Sequence, residues 1–243
     1  MPRQARQRSD TDIYHVIQRG IDRMAIFYED DDRQMYLNFL KLHISEHFKV
    51  YCYCLMSNHV HILVKSDTLS TAMHHFASLY AIRFNHKYDR YGYLFQNRFK
   101  SEAIENEAYF LQCFRYILRN PVKAGICSKP SDYPWSSYHS YYTITNRWVD
   151  SGFLDTFFHS KQDFEEFIAL DTPERCLDID QFSRPTDQEI KQILTEKLNG
   201  KKWDDLSKPE KQELLRELKY RTNAGLRQLA RISQTGYNII RRL

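Results

Sequence analysis

KVYCYCLMSNHVHILVK, residues 49–65, is the stretch of sequence that decides the fold. Two β-rich runs, KVYCYCLM and HVHILVK, follow each other with only a short polar interruption, which predicts two consecutive strands. A pattern with helical spacing precedes them at residues 31–48, and a second such pattern follows at residues 70–88. Two adjacent strands between two helices are typical of the middle of a split βαβ arrangement.

The flanking segments complete this arrangement. IYHVIQRG, residues 13–20, reads as a first strand, and residues 99–104 read as a fourth. NEAYFLQCFRYILRNP then predicts a helix that stops near Pro121, because the residue before a proline is disfavoured in the α region. The order β-α-β-β-α-β-α predicts an α+β, ferredoxin-like (split βαβ) fold through its sixth element. That fold is one antiparallel sheet with helices on one face.

Beyond Trp135 the regular pattern weakens. The aromatic segment PWSSYHSYY is expected to pack back on the first domain. We expect an α+β domain at residues 1–150, an acidic extension and linker at 151–187, and an all-helical C-terminal domain at 188–243. In the last of these, AGLRQLARI, SQTG and YNIIRRL resemble the second and third helices of a helix-turn-helix.

Composition excludes several classes of protein. No segment approaches the ~18 continuous apolar residues of a membrane helix, and the basic start lacks the apolar core of a secretory signal. A cytoplasmic protein without a membrane partner is expected. Five cysteines without a C-x-x-C pair argue against a disulfide framework and against a structural zinc site. Two basic regions, residues 83–100 and 216–242, flank an acidic middle, which favours contact with a polyanion.

His59 and His61 are the first candidate functional residues. Side chains alternate along a strand, so these two imidazoles share one face and Val60 lies on the other. Two neutral imidazoles at this spacing can hold one divalent ion, or they can be two hydrogen-bonded histidines on a half-buried face. Leu63 occupies the place of the third histidine of a histidine-triad nucleotide hydrolase, which argues against that class of enzyme.

Tyr116 and Asn120 are candidate partners for the histidine pair. Residues four apart lie on the same helix face, so the hydroxyl and the amide would point in one direction. The amide oxygen is a candidate third metal ligand, and the hydroxyl is a candidate nucleophile. Tyr116 as an ordinary core aromatic remains the alternative at this point.

Four segments together resemble a known family. CLMSNHVHILV, YGYLFQNRFKS, YILRNPVKAG and YPWSSY occur here in the order shown by the REP-associated tyrosine transposases of the single-tyrosine HUH superfamily (histidine, hydrophobic residue, histidine). The resemblance spans roughly residues 13–142. A minor departure is MSNHVH, where many relatives have MPNHVH or PEHMH.

This resemblance implies a DNA-nicking and rejoining enzyme. Tyr116 would be the nucleophile that forms a 5′-phosphotyrosine, and His59, His61 and Asn120 would hold Mg²⁺ or Mn²⁺. The expected partner is single-stranded DNA with hairpin-forming palindromic repeats, bound by a monomer or a homodimer. The tail is a candidate for contacting flanking duplex DNA.

The cations expected to bind DNA lie in the basic regions and after the candidate nucleophile. They are Arg83, Lys87, Arg90, Arg98, Lys100, Lys123, Arg227, Arg231 and Arg241. A non-catalytic DNA-binding regulator that keeps the same fold is the alternative function. The presence of both histidines, the tyrosine and the asparagine favours the enzyme.

Overall fold

The structure is a computed structural model. It describes residues 7–141, 148–171, 176–177, 187–198, 200, 203–221 and 224–242. The chain divides into two compact units, residues 1–177 and residues 178–243. The first unit contains every part of the sheet and all the candidate catalytic and metal-binding residues.

A four-stranded antiparallel sheet forms the centre of the first unit. Its strands are β1 (Ile13–Arg19), β2 (Phe48–Leu55), β3 (His59–Ser66) and β4 (Lys100–Ala103). Their order across the sheet is β2-β3-β1-β4, so β1 and β3 are central. In the β1–β3 register, Ile13 faces Lys65 and Arg19 faces His59. The strand pair predicted from residues 49–65 is therefore β2 and β3, paired antiparallel.

Two helices cover one face of this sheet. They are α1 (Asp30–Lys41) and α2 (Leu69–Lys87). Val60, Ile62 and Val64 of β3 point into a core that includes Tyr36 of α1 and Phe76 of α2. This confirms the predicted α+β, ferredoxin-like class, since the first six elements form one antiparallel sheet with both helices on the same side.

The seventh element, α3 (Glu107–Lys123), covers the opposite face. Leu63 of β3 and Cys52 of β2 lie in a second core with Phe114 and Ile117 of α3. A further helix, α4 (Lys161–Ala169), adds Phe164 and Ile168 to that core. The side chains of β3 that alternate with the first core, including both histidines, therefore point toward α3.

The helix ends at Lys123, two residues after Pro121, so the predicted end near Pro121 is confirmed. The stated reason is wrong, because Asn120 and Pro121 both lie inside α3. The proline removes one backbone donor, but the following turn is closed by Ala124 N–H donating to Asn120 O at 2.9 Å. Asn120 is consequently held within the helix, on the face that also carries Tyr116.

The aromatic segment after α3 packs against β2, as expected. Leu55 N–H donates to Trp135 O at 2.9 Å, and the Tyr133 hydroxyl donates to Leu55 O at 2.6 Å. The Tyr141 hydroxyl donates to Tyr51 O at 2.9 Å. These bonds cover an edge strand that would otherwise present unpaired backbone groups.

The second unit is helical, as predicted. Its helices are α5 (Asp187–Leu198), α6 (Lys208–Arg221), α7 (Leu226–Ser233) and α8 (Tyr237–Arg242). They share a small core that includes Leu215, Leu229 and Ile240. Of the expected acidic extension and linker at 151–187, residues 172–175 and 178–186 lie outside the described residues. Among the described parts of the chain, no helix combines the length and the apolar character needed to cross a membrane.

Candidate active site

The histidine pair lies on the α3 side of the sheet. His61 is completely buried, and His59, at the start of β3, is half-buried. Their ring centroids are 5.0 Å apart. The strand alternation predicted from the sequence thus holds, because Val60 and Ile62 lie in the opposite core.

Tyr116 of α3 lies against this pair. Its ring centroid is 5.7 Å from that of His61, with the rings nearly perpendicular. Tyr116 is 4% exposed and Asn120, one turn later, is 8% exposed. The structure therefore brings the strand histidines and the helix tyrosine together, with the asparagine on the same helix face.

Two buried polar atoms here have no hydrogen-bond partner. They are Nε2 of His61 and Nδ2 of Asn120. The oxygen and nitrogen of the Asn120 side-chain amide are assigned from the surrounding hydrogen bonds. A 180° rotation of this amide would place its oxygen at the present position of Nδ2. Buried polar groups nearly always have a hydrogen-bond partner. A lone pair on Nε2 of His61 and an amide oxygen on Asn120 would both be satisfied by a divalent cation.

The orientation of His59 fits the same purpose. Its Nδ1 lies 2.7 Å from Oδ1 of Asn58. The oxygen can only accept, so Nδ1 carries the proton and Nε2 keeps a lone pair for a metal. Among the described residues, no three histidine, cysteine, aspartate or glutamate side chains form a metal site by themselves. A site here would have to take its third protein ligand from another type of side chain, and the amide of Asn120 is the candidate.

The environment of His61 favours the neutral imidazole. Burial lowers its pKa well below the ordinary value, and the nearby charges of His59, His15 and Lys123 lower it further. A neutral ring is the form that binds metal ions.

His15 is a member of this cluster that sequence reasoning missed. Its Nε2 lies 2.9 Å from Nδ1 of His61, and its ring centroid is 6.0 Å from that of Tyr116. The alternation of β1 places His15 on one face with Ile17 and Arg19. The alternation along β1 can be read from the sequence. Placing His15 next to His61 also requires the pairing of β1 with β3, which the structure shows.

Three cations lie around the cluster. Lys123 Nζ is 5.0 Å from the centroid of the Tyr116 ring. Lys100 of β4 and His61 of β3 both pair with Ile17, so all three share a face. Burial and the neighbouring charge of Arg19 lower the pKa of Lys100 to about 8. Of the cations expected to bind DNA, the structure places Lys100 and Lys123 on the side of the sheet that carries the histidines.

The loop before β4 lies beside the same end of the sheet. Ile21 N–H donates to Leu94 O and Gln96 N–H donates to Arg19 O, each at 2.9 Å. Two tyrosines of this loop, Tyr91 and Tyr93, are 90% and 84% exposed. Arg98 of the same loop is also exposed.

The helix α2 contributes differently from what its charge suggested. Lys87 Nζ lies 2.8 Å from the buried carboxylate of Asp32 and 2.7 Å from that of Glu29, so it joins α2 to the start of α1. Arg90 donates to Asn85 Oδ1 at 3.0 Å. Arg83 is exposed on α2. Since α2 covers the face opposite the histidines, Arg83 and Lys87 are not brought to the cluster.

In the second unit, the three arginines expected to bind DNA are exposed. Arg227 begins α7 and Arg241 ends α8, both facing solvent. Arg231 forms an ion pair with Asp187, with an N–O distance of 2.6 Å. Gln234, with φ of 53°, makes the turn between α7 and α8.

Comparison with known proteins finds one similar family and one similar solved structure. A sequence model of the IS200-like transposases matches residues 10–120. A solved structure similar to this chain is that of a REP-associated tyrosine transposase bound to a REP hairpin. It has 21% sequence identity and a TM-score of 0.50, covering 58% of this chain and 85% of that chain. This likeness shows the fold. No curated protein matches the chain.

Proposed function

We propose that the protein nicks and rejoins single-stranded DNA near hairpin-forming repeats, a proposal that starts from the match of residues 10–120 to the IS200-like transposases. The observation that carries the proposal is the packing of Tyr116 against the buried His61, at 5.7 Å between ring centroids. A nucleophile, two imidazoles and an amide on facing elements are the parts that a single-tyrosine mechanism requires.

Tyr116 is the proposed nucleophile. The hydroxyl of Tyr116 gives up its proton to solvent and its oxygen attacks the scissile phosphorus in line. The bond to the 3′ oxygen breaks, and that oxygen leaves with the electron pair and takes a proton from solvent, so the protons balance. The product is a 5′-phosphotyrosyl enzyme and a free 3′-hydroxyl. A second 3′-hydroxyl can reverse the step without ATP, because the covalent link conserves the bond energy.

His59, His61 and Asn120 are the proposed ligands of a divalent cation, Mg²⁺ or Mn²⁺. Such an ion, when bound, supplies Lewis acidity at the scissile phosphate. The donor set fits this use, since Nε2 of His61 and the amide of Asn120 are buried and without hydrogen-bond partners. The near-complete burial of Tyr116 limits water at the phosphotyrosine, which favours rejoining over hydrolysis.

The proposed path of the single strand runs along the loop before β4. Lys100 and Lys123 provide positive charge beside the cluster for backbone phosphates. Tyr91 and Tyr93, both largely exposed, suit stacking of unpaired bases. REP hairpin DNA, which the similar solved structure contains, is the class of substrate we propose here.

The test is covalent capture of the DNA strand. The protein is incubated with Mn²⁺ and 5′-labelled and 3′-labelled hairpin oligonucleotides, and the products are separated on denaturing gels. We expect an adduct that is lost in Tyr116→Phe and retained in Tyr109→Phe, a matched change two turns earlier on α3. An undiminished adduct in Tyr116→Phe would refute this assignment, and DNA binding without any adduct would support the non-catalytic regulator.

A further inference from the structure

His15 and His61 share a hydrogen bond whose direction decides what His61 can do. The Nε2 of His15 and the Nδ1 of His61 are 2.9 Å apart, and both side chains are completely buried. One proton lies between the two nitrogens. Either His61 donates through Nδ1 and keeps a lone pair on Nε2, or His15 donates and the proton of His61 lies on Nε2.

Only the first arrangement makes His61 a metal ligand. The Nε2 of His61 is buried and has no hydrogen-bond partner, and it can bind a cation only if it carries a lone pair in place of a proton. A lone pair at the same place is satisfied by a bound cation. The hydrogen bond on one ring nitrogen of a ligand histidine commonly selects the nitrogen that binds the metal.

The position of His15 in the fold supports a specific role over simple packing. The β1–β3 register pairs Ile17 with His61 and His15 with Leu63, so His15 is the diagonal neighbour of His61 on the same face. The two rings stack with centroids 5.2 Å apart. Around them lie the apolar side chains of the second core, including Leu63 and Ile117. A polar ring buried there is unfavourable unless it is hydrogen-bonded, and the nitrogen of His61 provides such a bond.

We propose that His15 is a positioning residue that accepts the Nδ1 proton of His61 and thereby directs Nε2 of His61 toward the divalent cation. The inference rests on the proposed function, since it assumes that His61 is a ligand. It adds a third histidine to the site, one that acts through His61 and is neither a ligand nor a nucleophile. Metal affinity and the protonated nitrogen of His61 are therefore the quantities that His15 controls.

The first experiment measures Mn²⁺ affinity of the full-length protein without DNA, by electron paramagnetic resonance of free Mn²⁺. His15→Leu removes the acceptor at similar volume, and His15→Gln retains an acceptor oxygen. We expect His15→Leu to weaken Mn²⁺ binding by roughly 10-fold to 100-fold, the usual effect of losing such a hydrogen bond. We expect His15→Gln to recover most of that loss, which a merely structural role would not explain.

The matched control is a second pair of hydrogen-bonded histidines. His43 Nε2 and His75 Nδ1 are also 2.9 Å apart, outside the candidate site. His75→Leu should leave Mn²⁺ affinity unchanged. Wild-type Mn²⁺ affinity in a folded His15→Leu protein would overturn the proposal, as would equal losses in His15→Leu and His15→Gln.

Nitrogen-15 NMR of the metal-free protein provides an independent readout. We expect the His61 ring to be protonated on Nδ1 in the wild type, and a proton on Nε2 would overturn the proposal even if His15→Leu weakens metal binding. A different result would refute the proposed function alone. In that case Mn²⁺ would bind and His61 would be protonated on Nδ1, but no tyrosine-dependent adduct would form. A wild-type protein that binds no Mn²⁺ would contradict both.

Discussion

At His61, burial and neighbouring charge act in the same direction. Both lower the pKa of the imidazole, and both therefore keep it neutral near pH 7. Its Nδ1 lies 2.9 Å from Nε2 of His15, and its Nε2 is buried without a hydrogen-bond partner. The proposed role of His61 as a metal ligand rests on that second nitrogen.

Lys100 gives a prediction about pH at the residue scale. Its pKa is lowered to about 8 by burial and by Arg19. The ammonium is therefore mostly charged at pH 7 and mostly neutral at pH 9.5. We expect affinity for single-stranded DNA, measured by fluorescence anisotropy with chelator present, to fall over this range by up to roughly 5-fold, the effect of one exposed ionic contact.

Lys100→Arg is the control for this prediction. Arginine keeps its charge at pH 9.5, so the variant should lose less affinity between pH 7 and pH 9.5 than the wild type. Equal losses in the two proteins would show that another group is responsible for the pH dependence.

At the scale of elements, the long-range pairing of strands limits what the sequence could predict. The facing of His59 and His61 follows from alternation within β3 alone, and the shared face of Tyr116 and Asn120 follows from helical spacing. The contact of His15 with His61 depends on the β1–β3 register, which no local pattern specifies. The end of α3 near Pro121 was predictable, but the helical conformation of Asn120 before the proline was not, because one lost donor in the last turn is tolerated.

Helix α3 gives a prediction about stability. Its N-cap, Asn106, accepts a hydrogen bond from Tyr109 N–H at 2.8 Å. Removing this cap in Asn106→Ala should lower the free energy of unfolding of the first unit by about 1 kcal/mol. Chemical denaturation monitored by tryptophan fluorescence measures the change.

Asn106→Asp is the matched variant, because aspartate caps helices as well as asparagine does. It should retain wild-type stability within about 0.5 kcal/mol. Asn106→Ala with unchanged stability would mean that α3 does not depend on this cap. Since α3 carries Tyr116 and Asn120, its start bears on candidate residues that lie about three and four turns further along the helix.

At the scale of the whole molecule, the basic regions recognised in the sequence have different roles. The region at 83–100 divides between α2, where Lys87 stabilises the fold through Asp32, and β4, where Lys100 lies on the face of the histidines. Charge alone could not separate these roles, because the sheet lies between them. The tail forms a unit of its own, with its own core.

The tail gives a prediction about duplex DNA. Arg227 and Arg241 are exposed, and we propose that they contact phosphates flanking the hairpin. Arg227→Ala/Arg241→Ala should weaken binding to a hairpin with a duplex extension. For this extended hairpin, the slope of log affinity against log salt concentration should become shallower by roughly 2, because each of the two lost phosphate contacts accounts for about 0.9.

Binding to a hairpin without the extension is the internal control, and it should be nearly unchanged in this double variant. If both DNAs show wild-type affinity and salt dependence, the tail does not bind DNA in this way. In that case its helices form a structural unit only.

The most direct measurement is identification of the tyrosine that becomes linked to DNA. The adduct is digested with nuclease and then with trypsin, which separates Tyr116, in the peptide YILR after Arg115, from Tyr109, in the preceding peptide. Mass spectrometry should find the nucleotide on Tyr116. A nucleotide on Tyr109, or on any peptide other than the one that begins at Tyr116, would contradict the account.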